Sequence, residues 1–292
     1  MLGDAKGFHV NVNCRDLERS RRFYEAIGLR AATRTAPVAV QPGDAFGLAQ
    51  AQWDAWILAG ANGFDAGVVD LLEWHTPAPA GSPPANLHTQ GFQRVGILVP
   101  DLDAAVRAVV ANGGEIWGAP KAHGDVRLVL GNDPDGVAIE LVQAGGPTTS
   151  FVGVACSDLE RSVAWYRSIG FREAARFASA NDDSSHLRID GPSVFDEVMM
   201  TAPGGGLSLI LVGFTTPGVA AATPRPANAV GIWRVAFLVS DIDAECRELE
   251  ALGIELLSQP VSMAMGPGLP ELRFVCLRGP DHEVIELIEQ PT

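Results

Sequence analysis

VNCRDLERSRRFYEAIGL (residues 12–29) and VACSDLERSVAWYRSIGF (residues 154–171) are two copies of one sequence pattern. Weaker copies are ILVPDLDAAVRAVVANGG (97–114) and FLVSDIDAECRELEALGI (237–254). In all four copies an Asp is followed twelve residues later by Gly, at Asp16/Gly28, Asp101/Gly113, Asp158/Gly170 and Asp241/Gly253. Asp caps the first turn of a helix, and Gly readily takes the left-handed conformation that ends one. The repeat therefore predicts four short helices of equal length, each preceded by a strand.

Each predicted helix is followed by segments with strand character. The last of these segments are VVDLLEW (68–74), VAIELVQ (137–143), LSLILVG (207–213) and EVIELIE (283–289). The chain thus reads as an α+β protein in which a strand-helix-strand-strand-strand (βαβββ) module occurs four times. Proline-rich connectors (76–91 and 215–231) join modules 1 to 2 and 3 to 4, whereas the link at 144–150 is short. We therefore expect two domains, residues 1–147 with modules 1 and 2 and residues 148–292 with modules 3 and 4.

The Asp-Leu-Glu/Asp start of the helix, its aromatic-Tyr pair, the terminal Gly and the closing Ile/Val-Glu-Leu strand resemble the vicinal oxygen chelate superfamily. This superfamily includes glyoxalases, bleomycin-resistance proteins and extradiol dioxygenases. The resemblance covers essentially the whole chain and implies that the modules pair into two cup-shaped, eight-stranded open barrels. It does not specify a reaction, because members of one fold family catalyse different reactions or only bind ligands.

The alternation of strand residues indicates which side chains face the cups. The residues six and four positions before each capping Asp are apolar, so the residue seven positions before it should face the cup. The resemblance implies that this position and one position on the closing strand supply metal ligands. Carried over residue by residue, these positions are His9, Asp70, Arg94 and Glu140 in the first half. In the second half they are Phe151, Ile210, Arg234 and Glu286.

The second half departs from the ligand pattern. Phe151 and Ile210 carry no ligand atom, and Arg does not lose its proton in proteins. We expect no metal in the C-terminal half, and we expect Arg234 and Glu286 to form a buried ion pair.

The first half permits two interpretations. His9, Asp70 and Glu140 could hold one divalent metal ion, Zn, Mn, Ni or Fe. Arg94 opposes this, because its permanent charge would repel the ion and could instead pair with Glu140. Without a metal, His9 beside Asp70 would be an oriented general acid or base, and Arg94 would stabilise a substrate anion. The ligand set of a glutathione-dependent glyoxalase is interrupted by Arg94.

Other aromatic residues and histidines could contribute to the pockets. Trp53, Trp56 and Trp233 could line a cup for a flat ligand. His123 and His186 fall near the second and third strands of their modules, where the resemblance places the pocket rim.

Composition narrows the classes of partner. The formal net charge is −14 and no block of Lys or Arg occurs, which argues against nucleic acid and anionic membranes. No apolar run has the length of a membrane span, and the four cysteines are scattered, as expected for reduced thiols in the cytoplasm. We expect a small-molecule ligand and a monomer or homodimer.

Two functions remain open from the sequence. The first is a lyase, isomerase, cyclase or oxygenase that acts on a small oxygenated metabolite in the N-terminal cup through His9, Asp70, Arg94 and Glu140. The second is a non-catalytic protein that binds or sequesters a small molecule of antibiotic type. The enzyme is favoured, because four polar side chains are costly to bury without a use.

Overall fold

The computed structural model describes residues 2–123 and 126–290, and it contains the four expected modules. Module 1 comprises β1 (Lys6–Cys14), α1 (Leu17–Ala26), β2 (Arg30–Thr35), β3 (Gln41–Pro42), β4 (Gln50–Ala59) and β5 (Val68–Thr76). Module 2 comprises β6 (Gly91–Val99), α2 (Leu102–Ala111), β7 (Glu115–Ile116), β8 (Lys121–His123), β9 (Val126–Asn132) and β10 (Ala138–Gln143). Module 3 comprises β11 (Thr148–Ala155), α3 (Leu159–Ser168), β12 (Arg172–Asn181), β13 (Ser193–Thr201) and β14 (Ser208–Thr216). Module 4 comprises β15 (Gly231–Val239), α4 (Ile242–Ala251), β16 (Val261–Ala264), β17 (Glu271–Arg278) and β18 (Val284–Glu289).

The helices begin and end where the repeat predicts. Each has ten residues, and each capping Asp accepts a hydrogen bond from the backbone amide three residues ahead, at 2.8–3.0 Å. The four terminal glycines all have positive φ, between 75° and 109°. The cap-to-stop spacing therefore sets the length of every helix.

The sheets pair modules from different halves of the chain. One sheet runs β16-β17-β18-β15-β1-β5-β4-β2 and joins modules 1 and 4, and the other runs β12-β13-β14-β11-β6-β10-β9-β7 and joins modules 2 and 3. Among the described residues, one further short strand extends each eight-strand path: β3 pairs with β4, and β8 pairs with β9. We call the two concave faces the 1/4 cup and the 2/3 cup. The expectation that residues 1–147 and 148–292 each close a cup of their own is wrong.

The modules pair through the first strand of each module, which lies beside the first strand of its partner module. β1 lies antiparallel to β15 with Val10 opposite Val235, and β6 lies antiparallel to β11 with Val95 opposite Val152. All four first strands carry the same apolar pattern, so the pattern does not choose between neighbours. The proline-rich connectors are long enough to carry the chain from one sheet to the other. They run side by side, with the Ala80 amide donating to the Asn228 carbonyl at 2.9 Å.

The two modules of each half still contact each other, but through helices and loops. Arg19 of α1 donates to Asp135 of module 2 at 2.5 Å, and Tyr24 donates to Asp133 at 3.2 Å. In the second half, Tyr166 of α3 donates to Glu283 of module 4 at 2.7 Å. The main core lies between the helices and the convex faces of both sheets. No helix in the described part of the chain has the length and apolarity needed to cross a bilayer.

Candidate functional site

The floors of the two cups hold the predicted site residues in a different grouping from the expected one. His9 and Asp70 lie in the 1/4 cup together with Arg234 and Glu286. Arg94 and Glu140 lie in the 2/3 cup together with Phe151 and Ile210. The prediction of one site built from His9, Asp70, Arg94 and Glu140 is therefore wrong, and so is a metal site of His9, Asp70 and Glu140. The reason is the pairing of module 1 with module 4.

Strand register brings the closing-strand residues to the floor. Asp70 lies opposite Asn11, Glu140 opposite Gly96, Ile210 opposite Gly153 and Glu286 opposite Ala236. The register expected from sequence, with these four positions equivalent, agrees with the sheets. Glu73 lies outside this set, and its carboxylate accepts the Leu17 amide at the start of α1.

In the 1/4 cup an arginine bridges two carboxylates. Arg234 donates from Nε to Oε2 of Glu286 at 2.8 Å and from Nη2 to Oδ2 of Asp70 at 2.7 Å. Asn11 also donates to Oδ2 of Asp70, at 3.2 Å. The expected Arg234–Glu286 ion pair is present, and module 1 adds Asp70 to it. All these side chains are buried.

His9 lies against the same carboxylates. Its Nε2 is 3.1 Å from Oε2 of Glu286 and 3.9 Å from Oδ2 of Asp70. These are ion-pair distances, but neither ring nitrogen makes a well-directed hydrogen bond to a described residue. Nη1 of Arg234 also lacks a partner among the described residues. Buried polar atoms without partners are rare in proteins, so a ligand or water should complete this cluster.

The electrostatics of the cluster favour an ionised Glu286. Burial alone would raise its pKa, but the Arg234 guanidinium and the nearby His9 lower the pKa to about 2. Burial also opposes the charge of Arg234, yet Glu286 and Asp70 raise the pKa of the guanidinium. The floor therefore holds an ionised Glu286 beside the permanent cation of Arg234, with Asp70 and His9 packed against this pair.

Above this floor lies a cavity of about 220 Å³ with mainly apolar walls. The walls include Phe8, Phe46, Trp53, Phe64, Leu272 and Phe274. Of the three tryptophans expected to line a cup, Trp53 does so. Trp233 packs in the adjoining core, and Trp56 donates to Glu18 of α1. Such a space suits a small ligand with an apolar body and one polar end at the floor.

The floor of the 2/3 cup is also an arginine between two carboxylates. Arg94 donates from Nε to Glu140 at 2.5 Å, from Nη2 to Glu197 at 2.8 Å and from Nη1 to Gln93 at 2.7 Å. Burial would lower the pKa of Arg94, but Glu140 and Glu197 raise it. The expected pairing of Arg94 with Glu140 is present.

Glu197 was not predicted from the sequence. It lies on β13, next to β14, where Ile210 replaces the acidic residue of the other closing strands. The signal for it was the loss of a carboxylate at Ile210, which a neighbouring strand could replace. His186 lines the cavity of this cup, whereas the side chain of His123 lies outside the described residues.

Comparison with known families agrees with this architecture. Residues 8–141 and residues 150–267 each match the glyoxalase/bleomycin resistance protein/dioxygenase superfamily. The chain belongs to this superfamily. It is a tandem member, and the four modules and two cups account for both matches. No curated protein is significantly similar to the chain in sequence.

Solved structures show the same fold at low identity. Glyoxalase I from Zea mays superimposes with a TM-score of 0.65 and 18% identity, covering 98% of this chain and 92% of that chain. A putative dioxygenase from Bacillus subtilis subsp. subtilis str. 168 superimposes with a TM-score of 0.63 and 11% identity, covering 98% of this chain and 86% of that chain. These similarities establish the fold of this superfamily member and leave its reaction open.

The 1/4 cup does not fit the divalent metal that the superfamily implies. Arg234 donates to both carboxylates that such an ion would use, so a cation already occupies the centre of the cluster. A dication beside a fully ionised guanidinium would be repelled. In the described residues 2–123 and 126–290, no three or more His, Cys, Asp or Glu side chains form a group suited to a metal ion.

Proposed function

We propose that this superfamily member is a small-molecule enzyme of the isomerase or lyase type, which moves a proton on an oxygenated, largely apolar substrate in the 1/4 cup. The observation that supports this most directly is the buried His9 beside Glu286 and Asp70, next to an arginine with a free Nη1. Histidine is the side chain best suited to take and return a proton near neutral pH.

The roles follow from the contacts. The imidazole of His9, whose ring nitrogens are both buried and without a hydrogen-bond partner among the described residues, accepts the substrate proton. Glu286 at 3.1 Å and Asp70 at 3.9 Å then stabilise the positive imidazolium. Nη1 of Arg234 donates to the substrate oxygen, where negative charge develops as the proton leaves. A ligand oxygen there also supplies the partner that Nη1 lacks.

The second candidate is a protein that only binds or sequesters its ligand. The apolar walls of the 1/4 cavity favour it, because aromatic and aliphatic side chains are suited to bind an aromatic molecule without any chemistry. In that case the polar floor serves only to orient the ligand.

Hydrogen–deuterium exchange separates the two candidates without knowledge of the natural substrate. A panel of aryl ketones and hydroxyketones is incubated with the protein in D₂O, and loss of the α-proton signal is followed by NMR. Because general-base catalysis contributes about 10²–10⁴-fold, His9→Gln should slow exchange at least 100-fold. Binding of the same ketone, followed by tryptophan fluorescence, should remain within a few-fold of wild type.

His75→Gln is the matched control, because His75 is an exposed histidine of β5. The His75→Gln variant should catalyse exchange of the ketone α-proton at the wild-type rate. Equal exchange in His9→Gln and wild type would exclude His9 as the base. Tight binding without exchange by any protein would establish the sequestration candidate instead.

A further inference from the structure

The 2/3 cup differs from the 1/4 cup in what its floor can do. Phe151 of β11 stands where His9 stands in β1, so no histidine of the described part of the chain lies at this floor. All three nitrogens of the Arg94 guanidinium donate to protein oxygens, whereas Nη1 of Arg234 has no partner among the described residues. Among the described residues, the 2/3 floor therefore has neither a histidine nor an unpaired cationic donor for a substrate oxygen.

The 2/3 floor nevertheless has unused acceptors. Glu140 and Glu197 each accept a hydrogen bond from Arg94 through one carboxylate oxygen. No described residue donates to the other oxygen, Oε1 of Glu140 or Oε2 of Glu197. Both side chains line the cavity and keep 11% and 17% of their surface exposed. Two carboxylates against one guanidinium leave a formal charge of −1. A ligand with a positively charged donor group would satisfy both the charge and the free oxygens.

The walls define the rest of the ligand. The cavity has about 300 Å³, at the lower end of the range for small-molecule sites. Phe151, Phe195 and Phe214 contribute aromatic surface beside the floor. Aromatic faces attract organic cations and pack against apolar groups.

A basic group lies at the exposed side of the same cavity. Lys121 is exposed, and its Nζ lies 3.0 Å from Nδ1 of His186, with both residues lining the space. The Lys121 charge disfavours a cation on this side. An amine would therefore enter with its charged end towards Glu140 and Glu197.

We infer that the 2/3 cup is a second, non-catalytic binding site for a small aromatic amine, held by its ammonium group between Glu140 and Glu197. The inference does not depend on the chemistry proposed for the 1/4 cup.

Calorimetry with two matched probes tests this site. 1-Naphthylmethylamine is positively charged at pH 7, and 1-naphthalenemethanol has the same ring system without the charge. Wild type should bind the amine at least tenfold more tightly than the alcohol. Glu197→Gln and, independently, Glu140→Gln should each weaken amine binding about tenfold and leave alcohol binding within twofold.

Two further variants locate the site and control for charge. Glu271→Gln removes the same charge from an exposed position on β17 and should bind the amine as wild type does. Asp70→Asn alters the 1/4 cup and should also leave amine binding unchanged. Equal affinities for amine and alcohol would overturn the inference. So would an amine affinity that falls in Asp70→Asn but not in folded Glu197→Gln, with folding checked by circular dichroism.

Discussion

Nε2 of His9 lies 3.1 Å from Oε2 of Glu286, although the two residues stand near opposite ends of the chain. The contact exists because β1 and β15 are neighbours and β18 follows β15 in the same sheet. The proposed base and the carboxylate that supports it therefore come from modules in different halves. A substitution at Glu286 in the last strand, β18, therefore directly alters the surroundings of His9 in the first strand, β1.

Glu286→Gln should destabilise the protein at neutral pH. The substitution leaves Arg234 with one carboxylate in a buried site, and loss of one partner from a buried ion pair costs about 3 kcal/mol or more. Because the pKa of Glu286 falls from its ordinary 4.5 to about 2 in the folded state, its contribution is present above pH 4.5. That contribution is lost as the pH falls towards about 2.

Urea unfolding at pH 7 and at pH 3 measures this effect. The gap in unfolding free energy between wild type and Glu286→Gln should narrow at pH 3. Glu255→Gln, an exposed substitution beyond α4, should match wild type at both values. A gap that does not change with pH would show that the folded Glu286 is not held ionised.

Two buried carboxyl groups should make the free energy of unfolding fall as the pH rises from 4 to 7, which is opposite to the effect of Glu286. Burial raises the pKa of both Asp133 and Glu283 to about 7. The unfolded chain loses these protons near pH 4, but the folded chain keeps them until about pH 7. Each group therefore lowers stability as the pH rises through this window, by about 1.4 kcal/mol per pH unit at most.

Asp133→Asn combined with Glu283→Gln should flatten this slope. The amide groups can keep hydrogen bonds to Tyr24 and Tyr166 but do not titrate. Unfolding free energies at pH 5 and pH 8 should then differ less in the double variant than in wild type or in Glu271→Gln. The same slope in all three proteins would contradict the assignment.

Arg234→His should create a metal site in the 1/4 cup. The change removes the permanent cation and places a second imidazole beside His9, Asp70 and Glu286, which gives four ligands of types that Zn²⁺ accepts. We expect about one equivalent of zinc by elemental analysis after reconstitution of Arg234→His. Wild type and Arg234→Gln should retain far less.

A second substitution places that zinc. His9→Ala in the Arg234→His background should release the ion, because it removes a required ligand. Zinc retained in the double variant, or absent from folded Arg234→His, would mean that these side chains do not surround the guanidinium as described.

Separation of the chain at residue 147 should not yield two folded monomers. In fragment 1–147, β1 lacks β15 and β6 lacks β11, so two central strands expose unpaired edges. We expect each fragment alone to aggregate or to dimerise, and the two fragments to form a 1:1 complex when co-expressed. Size-exclusion chromatography with light scattering measures this, and a monomeric fragment with cooperative unfolding would contradict it.

Much of the fold could be read from the sequence because it depends on local chemistry. The capping aspartates, terminal glycines and alternating strands fix each module within itself. The equivalence of Asp70, Glu140 and Ile210 follows from a proline seven residues after each of them, and matching apolar neighbours add Glu286 to the set. The partner of each module could not be read. Val10, Val95, Val152 and Val235 occupy equivalent apolar positions, so any two first strands would bury the same kind of face.

The site was predicted in parts for the same reason. His9 with Asp70 and Arg234 with Glu286 were expected as separate pairs. Arg234 does donate to Glu286, whereas His9 lies 3.9 Å from Asp70 and only 3.1 Å from Glu286. Their union into one cluster depends on which strands pair, which no local pattern encodes. Glu197 depends on the contact between two adjacent strands of module 3, so single-strand alternation did not reveal its role.

The order of the modules in the two sheets also determines which sheet can fold first during translation. Modules 2 and 3 are consecutive in the chain, so their sheet has all its strands once residue 216 has left the ribosome. β1 is made first but finds its partner β15 only when module 4 emerges. Domains tend to fold as their segments emerge. The 2/3 cup can thus form on the nascent chain. The 1/4 cup is completed only when translation is almost over, because Glu286, the partner of His9, lies in the last strand.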